Sequence, residues 1–345
     1  MSTTGAVRAL RAHVETWRPY TLWYVGLVGL AGAALADGPH HPWLLASAWA
    51  APTAGWLGGH YLGDYFDREL DAGSKPHRPI PSGRLPARTA LWCGGACFAL
   101  LALLAVLGGW GTTSAALLAA FGIVAYSRWG KARGIAGNLV RGALGAIALL
   151  YGALTVGLSP DVPSTVPVLL ASTVVFWSHD TMSNLVGALR DIDGDRAGGY
   201  LTLPVRRGVP FAVHTVLALA AVTVTAAVTA GLLAGPDRRV GYLATLVVVV
   251  ALGVAALAPL VAHRAGMPVL VALRAHAVLV VERVVLASAL VGLGLGVGVQ
   301  LALALPMVGL TWWSQHLMRA RHELGTGRPA LALATPRRAA LEDVS

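Results

Sequence analysis

Residues 59–83 read GHYLGDYFDRELDAGSKPHRPIPSG, and residues 184–208 read NLVGALRDIDGDRAGGYLTLPVRRG. The first places Gly63, Asp67 and Asp71 in a GxxxDxxxD spacing, and the second repeats it with Gly187, Asp191 and Asp195. Seven residues before each leading aspartate stands a polar residue, His60 in one copy and Asn184 in the other. Each cluster runs into a loop with an apolar-Pro step and a glycine: Ile80-Pro81 with Gly83, and Leu203-Pro204 with Gly208. Coincidence can match one pair of aspartates, but it is poor at matching the polar residue, the glycine and the loop together. The chain therefore reads as a duplicated helical unit with its site where the halves meet.

What surrounds the clusters is almost uncharged. Charged residues make up 12% of the 345-residue chain and hydrophobic residues 56%, against about 25% and 45–50% in soluble domains. Apolar runs of roughly 20 residues, the length that crosses a hydrocarbon core of about 30 Å, recur throughout. They place spans near 20–37, 43–66, 88–108, 112–127, 138–158, 165–190, 210–234, 240–263, 274–296 and 299–318. No run alternates as a strand does. The expected fold is an all-α polytopic membrane protein, a bundle of about nine transmembrane helices, with ten as the alternative, and an internal pseudo-repeat. Residues 1–19 are expected as a cytoplasmic tail and residues 20–318 as the membrane domain, with halves of about 20–160 and 161–318. Residues 319–345 are expected as a second cytoplasmic tail.

Charge orients the bundle. On this span assignment 23 of the 26 Lys and Arg fall on one side, leaving Arg238, Arg239 and the intramembrane Arg283. The positive-inside rule then puts both termini and both acidic clusters on the cytoplasmic face. The expected setting is a bacterial plasma membrane. The formal charge of +10 is a product of topology, since no soluble domain carries a nucleic-acid groove, and no obligate protein partner is evident. The N-terminal stretch lacks the cleavage pattern of a signal peptide. Cys93 and Cys97, one turn apart without an accompanying His, read as small-residue helix packing.

Carboxylates at i and i+4 share a helix face and can hold one ion. Mg²⁺ prefers oxygen ligands and binds through one or two carboxylates plus substrate phosphates. Two facing pairs, Asp67 with Asp71 and Asp191 with Asp195, suit Mg²⁺ ions bridging a diphosphate. The loops supply cations for its oxygens: Lys75, His77, Arg78 and Arg84 from the first, and Arg196, Arg206 and Arg207 from the second. A third segment, AYSRWGKARGIAGN (125–138), adds Tyr126, Ser127, Lys131 and Asn138.

GDYFDRELDAGSKPHRPIPSGRL, YSRWGK and LRDIDGDRAGGYLTLPVRRG resemble the signatures of the UbiA superfamily of intramembrane prenyltransferases, and WRPYTL (17–22) resembles its entry segment. The resemblance covers about residues 15–265. It implies a helical bundle around a cavity open to cytoplasm and lipid, and transfer of a prenyl group from an isoprenyl diphosphate to a small, often aromatic acceptor with Mg²⁺. It assigns the metal to Asp67, Asp71, Asp191 and Asp195, and diphosphate contacts to Lys75, Arg78, Tyr126 and Lys131. The family's first motif begins with Asn where this chain has Gly63, so the metal shell must differ there; Asp64, or His60 one turn before it, stands close enough to substitute, and otherwise water completes the shell.

Deeper in the membrane, Asp180 lies on the Asp191 face roughly 16 Å down the helix, with Asn184 between them. Trp56 and His60 hold the corresponding places below Asp67. An ionisable group at this depth points to function, and Asp180 is expected to bind the acceptor's head or act as base, with a hydrogen bond to His276 or Arg283 as the structural alternative. Glu282 and Arg283, adjacent in sequence, cannot face each other on a helix and each needs a partner elsewhere. The expected activity is prenyl transfer to an aromatic acceptor. An intramembrane terpene cyclase and transfer to a phosphorylated sugar or glycerol phosphate are the alternatives within the fold, and a transporter with repeated halves is the alternative outside it.

Overall fold

A computed structural model describes residues 3–158 and 165–325. Among these residues ten long helices occupy the ten apolar runs: α2 (Pro19–Leu35), α3 (Pro42–Phe66), α5 (Ala87–Leu107), α6 (Trp110–Ala125), α7 (Ala136–Val156), α8 (Thr165–Arg190), α11 (Val209–Leu233), α12 (Pro236–Ala262), α13 (Val269–Leu295) and α14 (Val297–Leu324). Shorter helices decorate one end: α1 (Thr3–Trp17), α4 (Arg68–Ser74), α9 (Ile192–Ala197) and α10 (Leu203–Arg207). Seven of the long helices, α6 being taken with the helical turn Tyr126–Gly130 that extends it, are long and apolar enough to cross a membrane, and α2 is a shorter apolar helix. The helices that carry the two acidic motifs, α3 and α8, are absent from the seven because glycine and polar residues dilute their apolar content.

The almost unbroken apolar stretch near residues 267–318 divides at Gly296, whose φ of 92° is open to glycine and strained for other residues. This turns α13 back into α14. At its far end α14 continues beyond the apolar run to Leu324, so Arg319, Arg321, His322 and Glu323 are helical instead of beginning a tail. Residues 3–17 are likewise a helix, with Ala12 and Thr16 fully buried. Trp17 Nε1 donates to the Tyr61 hydroxyl at 2.6 Å, which moors α1 to α3.

The main core lies among α2, α7, α8 and α13, where Leu27, Leu149, Phe176, Leu286 and Leu290 are fully buried. Small residues set how closely these helices approach, as is usual where lipid supplies no hydrophobic drive between helices. A Cβ on Gly152 of α7 would stand 1.7 Å from the Gly29 carbonyl oxygen of α2. A further link joins the halves at the loop end of the bundle. Residues Arg133–Gly134 (β1) and Leu201–Thr202 (β2) pair in parallel, and Leu201 N–H donates to Ala132 O at 3.1 Å.

Candidate active site

Each acidic motif straddles a helix break of the same kind. α3 ends at Phe66, Asp67 sits at the joint with φ −81° and ψ −3°, and α4 carries Asp71 one turn on. α8 ends at Arg190, Asp191 sits at its joint with φ −99° and ψ 11°, and α9 carries Asp195. Backbone hydrogen bonds of 2.8 Å, Asp71 N to Asp67 O and Asp195 N to Asp191 O, make the two turns equivalent. The sequence repeat is thus a repeat in space.

Both joints open onto one cavity of about 510 Å³ that reaches from the loop end down between the helices. Of the candidate site residues singled out from the sequence, Arg196 and the loop cations His77, Arg84, Arg206 and Arg207 do not line it, and all the others do. Arg196 lies instead on the outer face of α9, exposed, with Nη1 3.3 Å from Asp193 Oδ1. The reason is helical phase: Asp195 faces the cavity, so its neighbour in a helix this short faces away.

Every motif carboxylate except Asp195 meets a cation. Lys131 Nζ is 2.6 Å from Asp67 Oδ2, and Arg78 Nη1 lies 3.0 and 2.8 Å from the two oxygens of Asp71. Lys75 Nζ is 3.2 Å from Asp191 Oδ1, whose other oxygen accepts from Arg190. Asp64 accepts from Arg18 through one oxygen, while its Oδ2 is buried with no partner. Lys75 crosses from the first loop to the second motif, so one diphosphate-class ligand would meet both halves.

The electrostatics divide the second motif. Burial raises the Asp195 carboxyl to about 6, with the Asp191 charge adding to the effect. Burial also acts to raise Asp191, but Arg190 and Lys75 outweigh it and hold that carboxyl below the usual carboxylate range. Lys131 is buried too, yet Asp67 keeps its ammonium above the ordinary lysine value.

The donor set suits a hard divalent cation, since the motif side chains offer carboxylate oxygens and no sulfur. Among the described residues no three Asp, Glu, His or Cys side chains converge tightly enough to cage an ion alone. Mg²⁺-type binding does not require such a cage, since one or two carboxylates suffice where phosphate oxygens and water complete the octahedron. Gly63 and Gly187 sit at matching points of the wall, and a Cβ on either would meet nothing within 4 Å.

Further down, Asn138 Nδ2 donates to Asn184 Oδ1 at 2.8 Å, and Asn184 Nδ2 to the Tyr126 hydroxyl at 3.2 Å. His60 Nδ1 donates to Trp17 O at 3.0 Å, which ties it to the entry segment. Asp180 takes neither of the partners expected for it, His276 or Arg283; it accepts from the Tyr24 hydroxyl at 2.9 Å. His276 instead meets Arg319. Glu282 and Arg283 do diverge, Glu282 to His179 and Arg283 to the rings of Tyr24 and Trp56.

Three residues of the cavity wall escaped sequence reading. Arg190 was visible only as a neighbour of Asp191, and Arg141 entered the sequence reading only as one of the 23 cations counted on the side of the acidic clusters, although it lies inside α7. Glu323 comes from the far end of the chain and reaches Lys75, Arg190 and Arg78. No local pattern marks it.

The family model described as the UbiA prenyltransferase family matches residues 25–266. A digeranylgeranylglyceryl phosphate synthase from Ignicoccus hospitalis is 37% identical over 237 residues, covering 68% of this chain and 75% of the relative. Another from Thermococcus gammatolerans is 34% identical over 203 residues, 58% of this chain and 70% of the relative. A UbiA homologue from Archaeoglobus fulgidus, solved with GPP and Mg²⁺, superimposes with a TM-score of 0.59 over 81% of this chain and 99% of that one, at 16% identity. These relatives are archaeal, so they lend nothing to the expectation of a bacterial membrane. The matched span, the paired acidic joints and the apolar helices around them lead to one conclusion: the chain is an integral membrane prenyltransferase and belongs to the UbiA prenyltransferase family.

Proposed function

We propose that this chain transfers a polyprenyl group from its diphosphate to the hydroxyl of a glycerol phosphate-type lipid acceptor, with Mg²⁺, at the cytoplasmic side of the membrane. The observation that carries it is a single cavity with carboxylates of both motifs at its loop end and two arginines, Arg141 and Arg283, in its depth. The named relatives support the acceptor class: both synthases cited make a glyceryl phosphate product by name. A glycerol phosphate acceptor here takes the place of the aromatic one expected from the sequence.

Asp67, Asp71, Asp191 and Asp195 would hold Mg²⁺, with Asp64 closing the shell where the family's motif has Asn. Bound there, Mg²⁺ supplies charge neutralisation for the diphosphate leaving group. Lys75, Arg78, Lys131 and Arg190 stand close enough to pass from carboxylate oxygens to phosphate oxygens. They are preorganised donors aimed where charge develops. The allylic C–O bond breaks, and its electron pair leaves with the diphosphate. The acceptor oxygen attacks the allylic carbon, forms the ether C–O bond and passes its proton to the departing diphosphate. Asp180 lies roughly 16 Å along α8 from Asp191, too far to act at that carbon, and its place is with the acceptor's head. Ser127, Asn138 and Asn184 line the passage between the two ends.

The test is incorporation. Purified protein with Mg²⁺ and geranylgeranyl diphosphate should convert geranylgeranylglyceryl phosphate to the diether while releasing one diphosphate per ether formed. Diphosphate release with a cyclic hydrocarbon and no ether would mean a cyclase, and transfer to a phenol alone would restore the aromatic reading.

A further inference from the structure

Below the carboxylates the cavity reaches a cluster that the diphosphate chemistry does not use. Five helices contribute to it: Tyr24 from α2, Trp56 from α3, Arg141 from α7, Asp180 from α8 and Arg283 from α13. The Arg141 guanidinium carbon lies over the Trp56 ring, 3.8 Å from its centre, and that of Arg283 lies 5.8 Å from the centre of the same ring and 4.5 Å from that of Tyr24. Among the described residues neither arginine forms a hydrogen bond or an ion pair, and Arg283 Nε is buried without a partner. Asp180 is the one carboxylate of the cluster, since Glu282 turns away to His179.

Two arginines against one aspartate leave an excess positive charge inside the bundle. A buried charge without a counter-ion is costly, and here it lines a cavity instead of being packed away. Stacking matters for what it leaves open. A guanidinium held by its face on an aromatic ring keeps its N–H edge free, and that planar fork matches the oxygens of a phosphate or carboxylate. Depth matters as well. Trp56 precedes Asp67 by eleven residues, roughly 16 Å along the helix axis, and Arg141 and Arg283 approach it from neighbouring helices. An oxyanion bound here would stay clear of the diphosphate's own negative charge, with the rest of its head group extending toward the reacting carbon.

We propose that Arg141 and Arg283, braced by Trp56 and Tyr24, form an oxyanion subsite that binds the charged head of the acceptor and selects for it. This rests on the reading of the site as a transferase with an anionic acceptor, and the phosphate of a glycerol phosphate lipid is the occupant that reading names. The same chemistry would accept a carboxylate, and the experiment separates the two.

Initial rates would be measured on the full chain with Mg²⁺, geranylgeranyl diphosphate and three acceptors: geranylgeranylglyceryl phosphate, its dephosphorylated alcohol and 4-hydroxybenzoate. The wild type should prefer an oxyanion acceptor over the neutral alcohol by about tenfold or more in kcat/KM, the scale of a charge-assisted contact. Arg141→Gln and Arg283→Gln should each raise the KM for that acceptor about tenfold and erase the preference, while the KM for the prenyl diphosphate stays put. If 4-hydroxybenzoate is the acceptor used and the variants lose it, the subsite stands and the glycerol phosphate reading falls. Equal use of the phosphate and the neutral alcohol by the wild type would overturn the subsite without any variant. Retained discrimination in both variants would overturn it too.

Discussion

Glu323 Oε1 lies 3.0 Å from Arg190 Nη1, and Glu323 Oε2 lies 3.4 Å from Lys75 Nζ. A side chain from the end of the last helix thus joins a cation of the second motif to a cation of the first loop. Its carboxylate holds cations that the proposed diphosphate site would use, which would make it a competitor for them. Glu323→Gln removes the charge and keeps the shape. It should lower the KM for prenyl diphosphate about threefold to tenfold, the worth of one partly screened charge near a binding site. Initial rates at saturating acceptor measure it, and an increased KM would show that Glu323 positions the cations instead.

Gly63 stands at the place where the family's first motif has asparagine, and a Cβ there meets nothing within 4 Å. Gly63→Asn should therefore fold with an unchanged Tm and add an amide oxygen at the cavity wall. The Mg²⁺ concentration giving half-maximal activity should fall. A Mg²⁺ titration at fixed prenyl diphosphate reads this directly, and an unchanged midpoint would place Gly63 outside the metal shell.

Gly152 and Gly29 bring α7 and α2 into backbone contact. Gly152→Val forces a side chain into the Gly29 carbonyl, and overpacking of this kind costs about 1–3 kcal/mol. Thermal unfolding of the detergent-solubilised protein should show a lowered Tm. Because this contact also sets the height of α7, and with it Asn138 and Arg141, activity should fall along with stability.

Chelation with EDTA should abolish diphosphate release and added Mg²⁺ should restore it, because the carboxylates alone repel the diphosphate they are meant to hold. Activity that survives EDTA would remove the metal from the account.

Most of the architecture was legible because the membrane imposes it. Runs of apolar residues can only become spanning helices, and the break at Gly296 follows from its backbone conformation. The paired motifs were legible because duplication leaves two copies to compare, and Asp67 and Asp191 fall at equivalent joints. Long-range pairing was not legible. Nothing near Glu323 in sequence signals Lys75, and nothing near Asp180 signals Tyr24, since such partners are chosen by how helices pack. The outward turn of Arg196 depended on the phase of a six-residue helix, too short for a periodic pattern to fix. The reach of α14 beyond its apolar run was hidden for a related reason: its last turn is polar because it packs on a polar site.

The central claim is that both motifs act as one metal–diphosphate site. Released diphosphate, measured for Asp67→Ala and Asp191→Ala separately with Mg²⁺, geranylgeranyl diphosphate and acceptor present, tests it most directly. Each single variant should lose about a hundredfold or more in rate, the scale of removing a group that stabilises developing charge. Near-normal release from either variant would contradict a shared site and leave the repeat without its chemistry.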